Sequence, residues 1–399
     1  MNSGWKECKL GDVAEIIPGF AFKSEHFGDK GMPVIKITDI NPPYINIEDA
    51  QKVNLDSYNL DKLEKYFVSK DDFVVAMTGA TIGKVGKNII CTQAILNQRV
   101  AKIKPFAAVE NNFVYFSLLL DNFQEFIQNN IDSHSAQENI SGTSIARFTL
   151  LLPPRSEQRA IAGVLSSLDD KIDLLYRQNK TLEGMAETLW RKMFIEDADP
   201  NWKKGKLGDY LKVQGGYAFK SADFKDVGQI GIIKITNISS GLVDIVNTQF
   251  VSREIIQTLD NKFKITTGSI LIAMTGAEIG KIGIVEKTEK EIWLNQRVGM
   301  FHELKRYGNL LGFFALNSDE GQEHILSSAT GSAQPNISAA GIEDFEMPIV
   351  PDEMLNHFGI STQSLFDKIC FNLSQIHTLS RARDTLLPKL MSGDVRVKM

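Results

Sequence analysis

Two short strings in the chain invite a catalytic reading. Asn41-Pro42-Pro43-Tyr44 follows an apolar run, as does the string with which base-amine methyltransferases hold the amine they modify, and Gly79-Ala80-Thr81-Ile82-Gly83-Lys84 looks like a phosphate-cradling glycine loop. Neither has the residues its chemistry requires. A methyltransferase also needs a glycine-rich turn after a strand for S-adenosylmethionine, and the chain has no convincing one. A nucleotide-binding P-loop puts four residues between its glycines and a Ser or Thr after its Lys, whereas here three intervene and Val85 follows. Two readings of the glycine loop remain: a tight turn with a solvated Lys, or a loop whose amides and ammonium approach a phosphate.

Metal and thiol chemistry find no pattern either. Cys8, Cys91 and Cys370 lie far apart, and the six histidines (His26, His134, His302, His324, His357, His377) form no ligand spacing. No metal, cofactor or disulfide framework is expected, and a reduced compartment suits the cysteines.

The chain is written twice. Trp5 recurs at Trp202, an offset of 197 that returns at LGD (10–12 and 207–209), MTGATIGKVG against MTGAEIGKIG (77 and 274), SAQENIS against SAQPNIS (135 and 332) and Asp170-Lys171-Ile172 against Asp367-Lys368-Ile369. VIKITDI (34) against IIKITNI (232), and LNQRV at 96 and 294, recur at 198. A shift that wanders by one residue across a half-chain means tandem duplication. No Ser-His-Asp, Cys-His or carboxylate pair recurs in both copies, whereas duplicated chemistry would leave duplicated catalytic residues. The expectation is a binding protein with no catalytic residues, suited to engaging two related things at once.

At 399 residues, each half is long enough to bury its own core, and the 43% hydrophobic and 23% charged residues are those of a globular protein. The N-terminus lacks a signal-peptide stretch and no run approaches a membrane helix, so a cytoplasmic protein with no membrane partner is expected. Net charge is −5, and residues 1–152 carry 15 basic and 18 acidic side chains, residues 201–349 16 and 17. Any phosphate contact must therefore come from basic groups gathered on one face, or from a partner.

Strand grammar fills the first 150 residues of each half. Pro33 to Ile40, Asp72 to Met77, Arg99 to Ile103 and Arg147 to Leu152 read as strands, and Asn112 to Asn129 as one helix with Val114, Leu118, Phe123 and Ile127 on its apolar face. The following segment repeats apolar residues at alternating spacings of three and four. Leu165, Leu168, Ile172, Leu175, Asn179, Leu182, Ala186, Leu189 and Met193 form the seam, matched in the second half by Thr362, Leu365, Ile369, Asn372, Ile376, Leu379, Arg383, Leu386 and Leu390. Two such helices in one chain most economically pack on each other, antiparallel because the first must return the chain to a symmetry-related domain. From Ile161 to Met193 the helix would span about 50 Å, roughly the rise of 15 base pairs.

These blocks resemble the specificity subunits of type I restriction-modification systems over essentially the whole chain. LLLPPRSEQRAIAGVLSSLDDKIDLLYRQNKTLE (150–183) is similar to that family's central segment, with Pro153, Pro154, Glu157, Gln158, Ile161, Leu168, Asp169 and Ile172 in their characteristic places. LLPKLMSGDVRV (386–397) resembles its C-terminal ending and WKECKLGDVAEIIPGFAFKS (5–24) its domain opening. The second central segment departs, reading VPDEMLNHFGIS without the Glu-Gln of the first.

The resemblance implies an α+β fold: two tandem, pseudo-two-fold related mixed α/β recognition domains separated by a long antiparallel two-helix coiled coil. The expected boundaries are residues 1–152 and 201–349 for the target recognition domains, 153–200 for the central helical region and linker, and 350–399 for the C-terminal helical region. It further implies a non-catalytic subunit that recognises a bipartite, asymmetric site in double-stranded DNA. Two methyltransferase subunits, with restriction subunits as further partners, would carry the chemistry, and the helices would set the half-site spacing. The alternatives are a self-contained DNA adenine methyltransferase using Asn41 to Tyr44, and a duplicated scaffold for non-DNA protein partners.

Residues identical in both halves suit backbone contact, which carries no sequence information. Lys23, Lys84 and Arg99, with Lys220, Lys281 and Arg297, are the candidates. Base readout belongs where the copies diverge, chiefly residues 42–71 against 240–267 and 106–134 against 303–330. There and in the adjoining loops the candidates are Ser133, His134, Ser135, Gln137, Ser328, Thr330, Ser332 and Gln334.

Overall fold

The computed structural model describes residues 4–131, 138–239, 241–331 and 334–397. The chain divides into two compact units, Met1–Asp170 with Ser380–Met399, and Lys171–Leu379.

In the first unit the strand Phe73–Ala76 is buried along its whole length, which is why it reads as a continuous apolar run rather than an alternating one. It pairs antiparallel with Val85–Lys87 and Val100–Pro105, inside a six-stranded sheet whose order is 14–18, 100–105, 73–76, 85–87, 44–45 and 40–41. A second sheet runs 27–28, 52–53, 32–35, 94–96 and 67–68, with 32–35 parallel to 94–96. The second unit repeats this plan. Ile270–Ala273 is its buried central strand, and Ile230–Ile233 lies parallel to Glu291–Leu294 in a four-stranded second sheet. Small antiparallel pairs, Lys6–Lys9 with Thr149–Leu152 and Lys204–Lys206 with Glu346–Pro348, close each unit.

Two expected elements are broken. The strand read over Pro33 to Ile40 ends at Ile35, because the Asp39 carboxylate accepts the Lys36 amide (2.8 Å) and folds residues 37–39 into a 3-10 turn. The single helix read over Asn112 to Asn129 is two, Asn111–Ser117 and Asp121–Asn129. In the second unit the same break falls at Ser318, whose hydroxyl accepts the Gly321 amide (3.1 Å) and caps the helix Asp319–Ser328. Any Cβ at Gly321 would lie 2.2 Å from the Ala315 carbonyl oxygen, so the tight corner requires glycine.

The long helices are Arg155–Arg191, which begins directly after Pro153-Pro154, and Asp352–Ser392. Within the first unit Ile161, Ala162 and Leu165 share a core with Leu387, Leu390 and Met391. In the second, Ala186, Trp190 and Phe194 share one with Leu355, Phe358 and Phe366. The start of each helix thus meets the end of the other, and the pairing is antiparallel. Of the seam residues, Leu165, Ile172, Leu175, Asn179, Ala186, Thr362, Ile369, Asn372, Ile376 and Leu390 are buried, whereas Leu168, Leu182, Leu189, Met193, Leu365, Leu379, Arg383 and Leu386 are half-buried. Phe366, Cys370, Leu373, Leu387 and Met391 are buried outside the narrow 3-4 stripe. The helices pack on their domains as well as on each other, which widens the apolar face beyond a coiled-coil seam. Among the described residues no helix is long and apolar enough to cross a membrane.

Candidate nucleic-acid interface

Five blocks that recur along the sequence come together at one place in each unit, joined by backbone hydrogen bonds. In the first unit the Gly19 and Phe20 amides donate to the Val100 and Leu96 carbonyls (2.9 and 3.1 Å), and the Asn97 amide to Ile35 (3.0 Å). The consecutive amides of Ala76 and Met77 donate to Lys84 and Arg99 (both 2.9 Å), bringing those two basic residues to either side of one strand end. The Gly79 amide then donates to Glu138 (3.0 Å) and Ile140 to Met77 (2.9 Å), while the buried Thr78 hydroxyl donates to the Glu138 carbonyl (2.8 Å).

The second unit makes the same bonds. Asn295 donates to Ile233 (3.1 Å), Ala273 to Lys281 (2.9 Å), Met274 to Arg297 (3.0 Å), Gly276 to Pro335 and Ile337 to Met274 (both 2.9 Å). The site is thus a fixed backbone platform, duplicated in the two units.

The glycine loop is a turn in which four amides are already used. Those of Gly79, Ile82, Gly83 and Lys84 donate to Glu138, Gly79, Ala76 and Thr81, and their counterparts do likewise. Gly79 and Gly83 have φ of 72° and 81°, Gly276 and Gly280 74° and 84°, in the left-handed region that explains why both copies keep them. The Gln124 amide clamps the Gly83 carbonyl (2.6 Å) and Gln322 that of Gly280 (3.2 Å). These four amides are thus not available to a phosphate, whereas the lysine ammonium groups remain. Asn41-Pro42-Pro43-Tyr44 is a two-residue hairpin between strands 40–41 and 44–45, with the Pro43 carbonyl accepting from Lys87 N and Tyr115 Oη (both 2.9 Å).

The sequence candidates fall at different places. Lys84, Arg99 and Arg297 are exposed on the platform. Lys281, also there, is paired with Glu278 (2.5 Å), a residue that is Thr81 in the first unit. Lys23 and Lys220 open the 3-10 turns Ser24–His26 and Ser221–Asp223; Lys23 lies 3.6 Å from Glu25, and the Lys220 amide donates to Asp223 (2.8 Å). Thr330 exchanges backbone bonds with Asn336 (both 2.9 Å) and Gln334 is exposed beside it, while Ser328 ends its helix half-buried. Ser133, His134, Ser135, Gln137 and Ser332 lie outside the described residues.

Sequence reasoning passed over one pair of side chains. Lys36 Nζ hydrogen-bonds Gln51 Oε1 and lies over the Phe27 ring, 4.5 Å from its centroid. Lys234 does the same with Gln249 and Phe224, at 3.6 Å. Gln51 and Gln249 stand in a stretch set aside as divergent, yet they recur at the offset of 198.

A platform built by the same backbone bonds in both halves defines a protein of two related units. The comparisons agree. The type I restriction modification DNA specificity domain matches twice, over residues 2–184 and 200–378, and the chain belongs to that family. It is similar to the MjaIX and MjaVIII type I restriction enzyme specificity subunits of Methanocaldococcus jannaschii. The first is 25% identical over 422 residues, 99% of this chain and 94% of the relative; the second is 21% identical over 418 residues, 99% and 93%. The type I restriction-modification S subunit from M. genitalium shares the fold, with a TM-score of 0.60 at 17% identity over 100% of this chain and 98% of that one.

Proposed function

We propose that this chain is the DNA sequence-specificity subunit of a type I restriction-modification complex. Residues 1–152 and 201–349 each read one half of a bipartite, asymmetric target in double-stranded DNA, and the helical regions 153–200 and 350–399 set the spacing between halves and dock two methyltransferase subunits. Methyl transfer belongs to those subunits and cleavage to restriction subunits, so the chain carries no catalytic residue and binds no cofactor. The observation that supports this most strongly is the platform itself. Identical backbone bonding in both units, in a chain whose two copies diverge over other stretches, is what two readers of different half-sites require, since phosphate contact is common to both and base contact is not. Neither a self-contained methyltransferase nor a protein-only scaffold accounts for that combination, and the hairpin at Asn41 to Tyr44 has its Pro43 carbonyl committed within the fold.

The test is domain replacement. Exchanging residues 1–152 for those of another family member, in cells carrying the cognate methyltransferase, should change the methylated sequence in one half-site and leave the other and the spacing intact. Mapped methylation that changes in both halves, or in neither, sinks the assignment.

A further inference from the structure

Lys36 and Lys234 follow directly on the parallel strand of their units, after the residues whose carbonyls hold Asn97 and Asn295. Both amides donate into the turn that follows, to Asp39 Oδ2 (2.8 Å) and Asn237 Oδ1 (3.0 Å), which directs the lysine out of the sheet register. Each ammonium is then pinned between a glutamine oxygen and an aromatic face. Neither makes an ion pair among the described residues, and burial lowers the affinity of Lys234 for its proton. The change from Asp39 to Asn237 leaves the arrangement intact, so a carboxylate is no part of it.

A glutamine oxygen and a ring face attract a cation without neutralising it, and they occupy only part of an ammonium's three-donor capacity. Holding a long, flexible side chain in one place costs rotamer entropy that an ordinary solvated lysine does not lose. Both units keep this arrangement, whereas Lys281 is neutralised by Glu278 and Lys84 has threonine at the same place. A positioned cation without an ion pair among the described residues, alike in two units that should read different sequences, fits the one feature common to all DNA, its phosphodiester backbone.

We infer that Lys36 and Lys234 each bind one backbone phosphate of their half-site, with Gln51 and Phe27, and Gln249 and Phe224, fixing the ammonium that does so. This rests on the DNA-specificity reading above. The test measures binding of the complex assembled with methyltransferase, on its mapped target and on scrambled duplex, across a salt series. It compares the unsubstituted chain, Lys36→Gln, Lys234→Gln, the double variant and Lys36→Arg, with thermal melting to verify that each is folded. Each glutamine substitution should lower the slope of log affinity against log salt by about 0.9. Affinity for both duplexes should fall by the same factor, the methylated sequence should stay as it was, and Lys36→Arg should restore the slope. An unchanged slope in the folded double variant overturns the inference, as does discrimination lost at one half-site alone. Should the unsubstituted complex itself fail to distinguish target from scrambled duplex, the specificity reading fails instead.

Discussion

The two long helices begin at equivalent positions of the repeat, yet opposite chemistry fixes them. In the first unit Glu157 is only 5% exposed and accepts Trp5 Nε1 (3.0 Å) and Arg396 Nη1 (2.9 and 3.2 Å), while Gln158 accepts the Glu110 amide (2.9 Å) and donates to the Pro153 carbonyl (2.8 Å). At the offset of 197 the second unit has Met354 and Leu355, packed with Trp202 in an apolar cluster. Tyr210 stands there in place of Val13, donating to the Pro348 carbonyl (2.7 Å) and accepting the Val350 amide (2.5 Å). The same contrast recurs between the helices. Asp169 pairs with Arg383 (3.1 Å) in the first unit, whereas the equivalent positions in the second are Phe366 and Ala186, both in the apolar core.

The grooves beside the helices differ in the opposite sense, the first unit's being the more apolar. A cavity of about 740 Å³ in the first unit is lined by Leu119, Leu120, Phe148, Leu387 and Pro388. In the second, one of about 510 Å³ is lined by Glu183, Glu187, Trp190, Asp319 and Glu320. Leu387 and Trp190 are equivalent positions, as are Asp384 and Glu187. A duplicated backbone therefore does not imply duplicated surfaces. Polar anchoring is sensitive to the loss of one partner, because a buried group left unpaired costs more than the bond contributed; apolar anchoring is sensitive to shape.

Shape sensitivity gives the largest expected effect. Gly359 lies in the second helix against Tyr307, where a Cβ would sit 1.9 Å from Cγ of the ring. Gly359→Ala should therefore lower stability by about 3 kcal/mol despite the better helix propensity of alanine. Its counterpart in the first unit is already alanine, and Ala162→Gly should cost only about 1 kcal/mol, the propensity difference. Urea unfolding of both variants measures the pair, and equal losses would erase the distinction between the two anchoring modes.

Removing one member of the polar pair comes next. Burial holds the Asp169 carboxyl above the usual carboxylate range, and the Arg383 guanidinium only partly offsets this. Arg383→Ala removes the offset and should cost about 2 kcal/mol at neutral pH. Because the folded-state affinity of Asp169 for its proton is already raised, and rises further in the variant, its unfavourable contribution is greatest above that folded value. The deficit should thus shrink as pH falls through the acidic range toward the unfolded value. Asp169→Phe with Arg383→Ala, which installs the residues of the second unit, should recover most of the loss. A deficit that stays constant with pH in unfolding experiments contradicts this account.

Much of the architecture was legible because it is periodic. The 197-residue offset predicted two alike domains, and the three-four spacing from Leu165 to Met193 predicted the first long helix. What stayed hidden is carried by backbone atoms or by pairs distant in sequence. The Met77 to Arg99 and Gly79 to Glu138 bonds that assemble the platform involve main-chain groups, which leave no residue signature. Gln51 recurs at Gln249, but that identity has meaning only once each is seen against its lysine. The helix break after Ser117 was concealed by apolar residues on both sides, Phe113 to Phe116 before it and Phe123, Phe126 and Ile127 beyond it, whereas in the second unit Ser318 and Gly321 are the local signals that identify the same break.

The smallest effect tests whether polar pairing within the helices favours one arrangement over maximal stability. Asn179 and Asn372 are buried, Asn372 Nδ2 donates to Asn179 Oδ1 (2.8 Å), and the remaining donor of Asn179 and acceptor of Asn372 have no partner. Shifted by the repeat, the corresponding positions are Ile376 and Leu175, which are buried in one apolar cluster. Replacing only Asn179 by Leu strands the whole Asn372 amide and should cost about 1 kcal/mol or more. Replacing both by Leu should instead be neutral or stabilise by about 1 kcal/mol, since two unsatisfied buried groups disappear. The apolar pair would also no longer penalise a slipped helix register, because leucine packs against leucine in several alignments whereas the asparagine pair matches in one. Cysteines placed at Leu175 and Ile376 on the two helices, in an otherwise cysteine-free background, report that register by disulfide yield. The yield should fall in the double-leucine chain even as its urea midpoint rises, and a yield that does not change would mean that the asparagines contribute no register specificity.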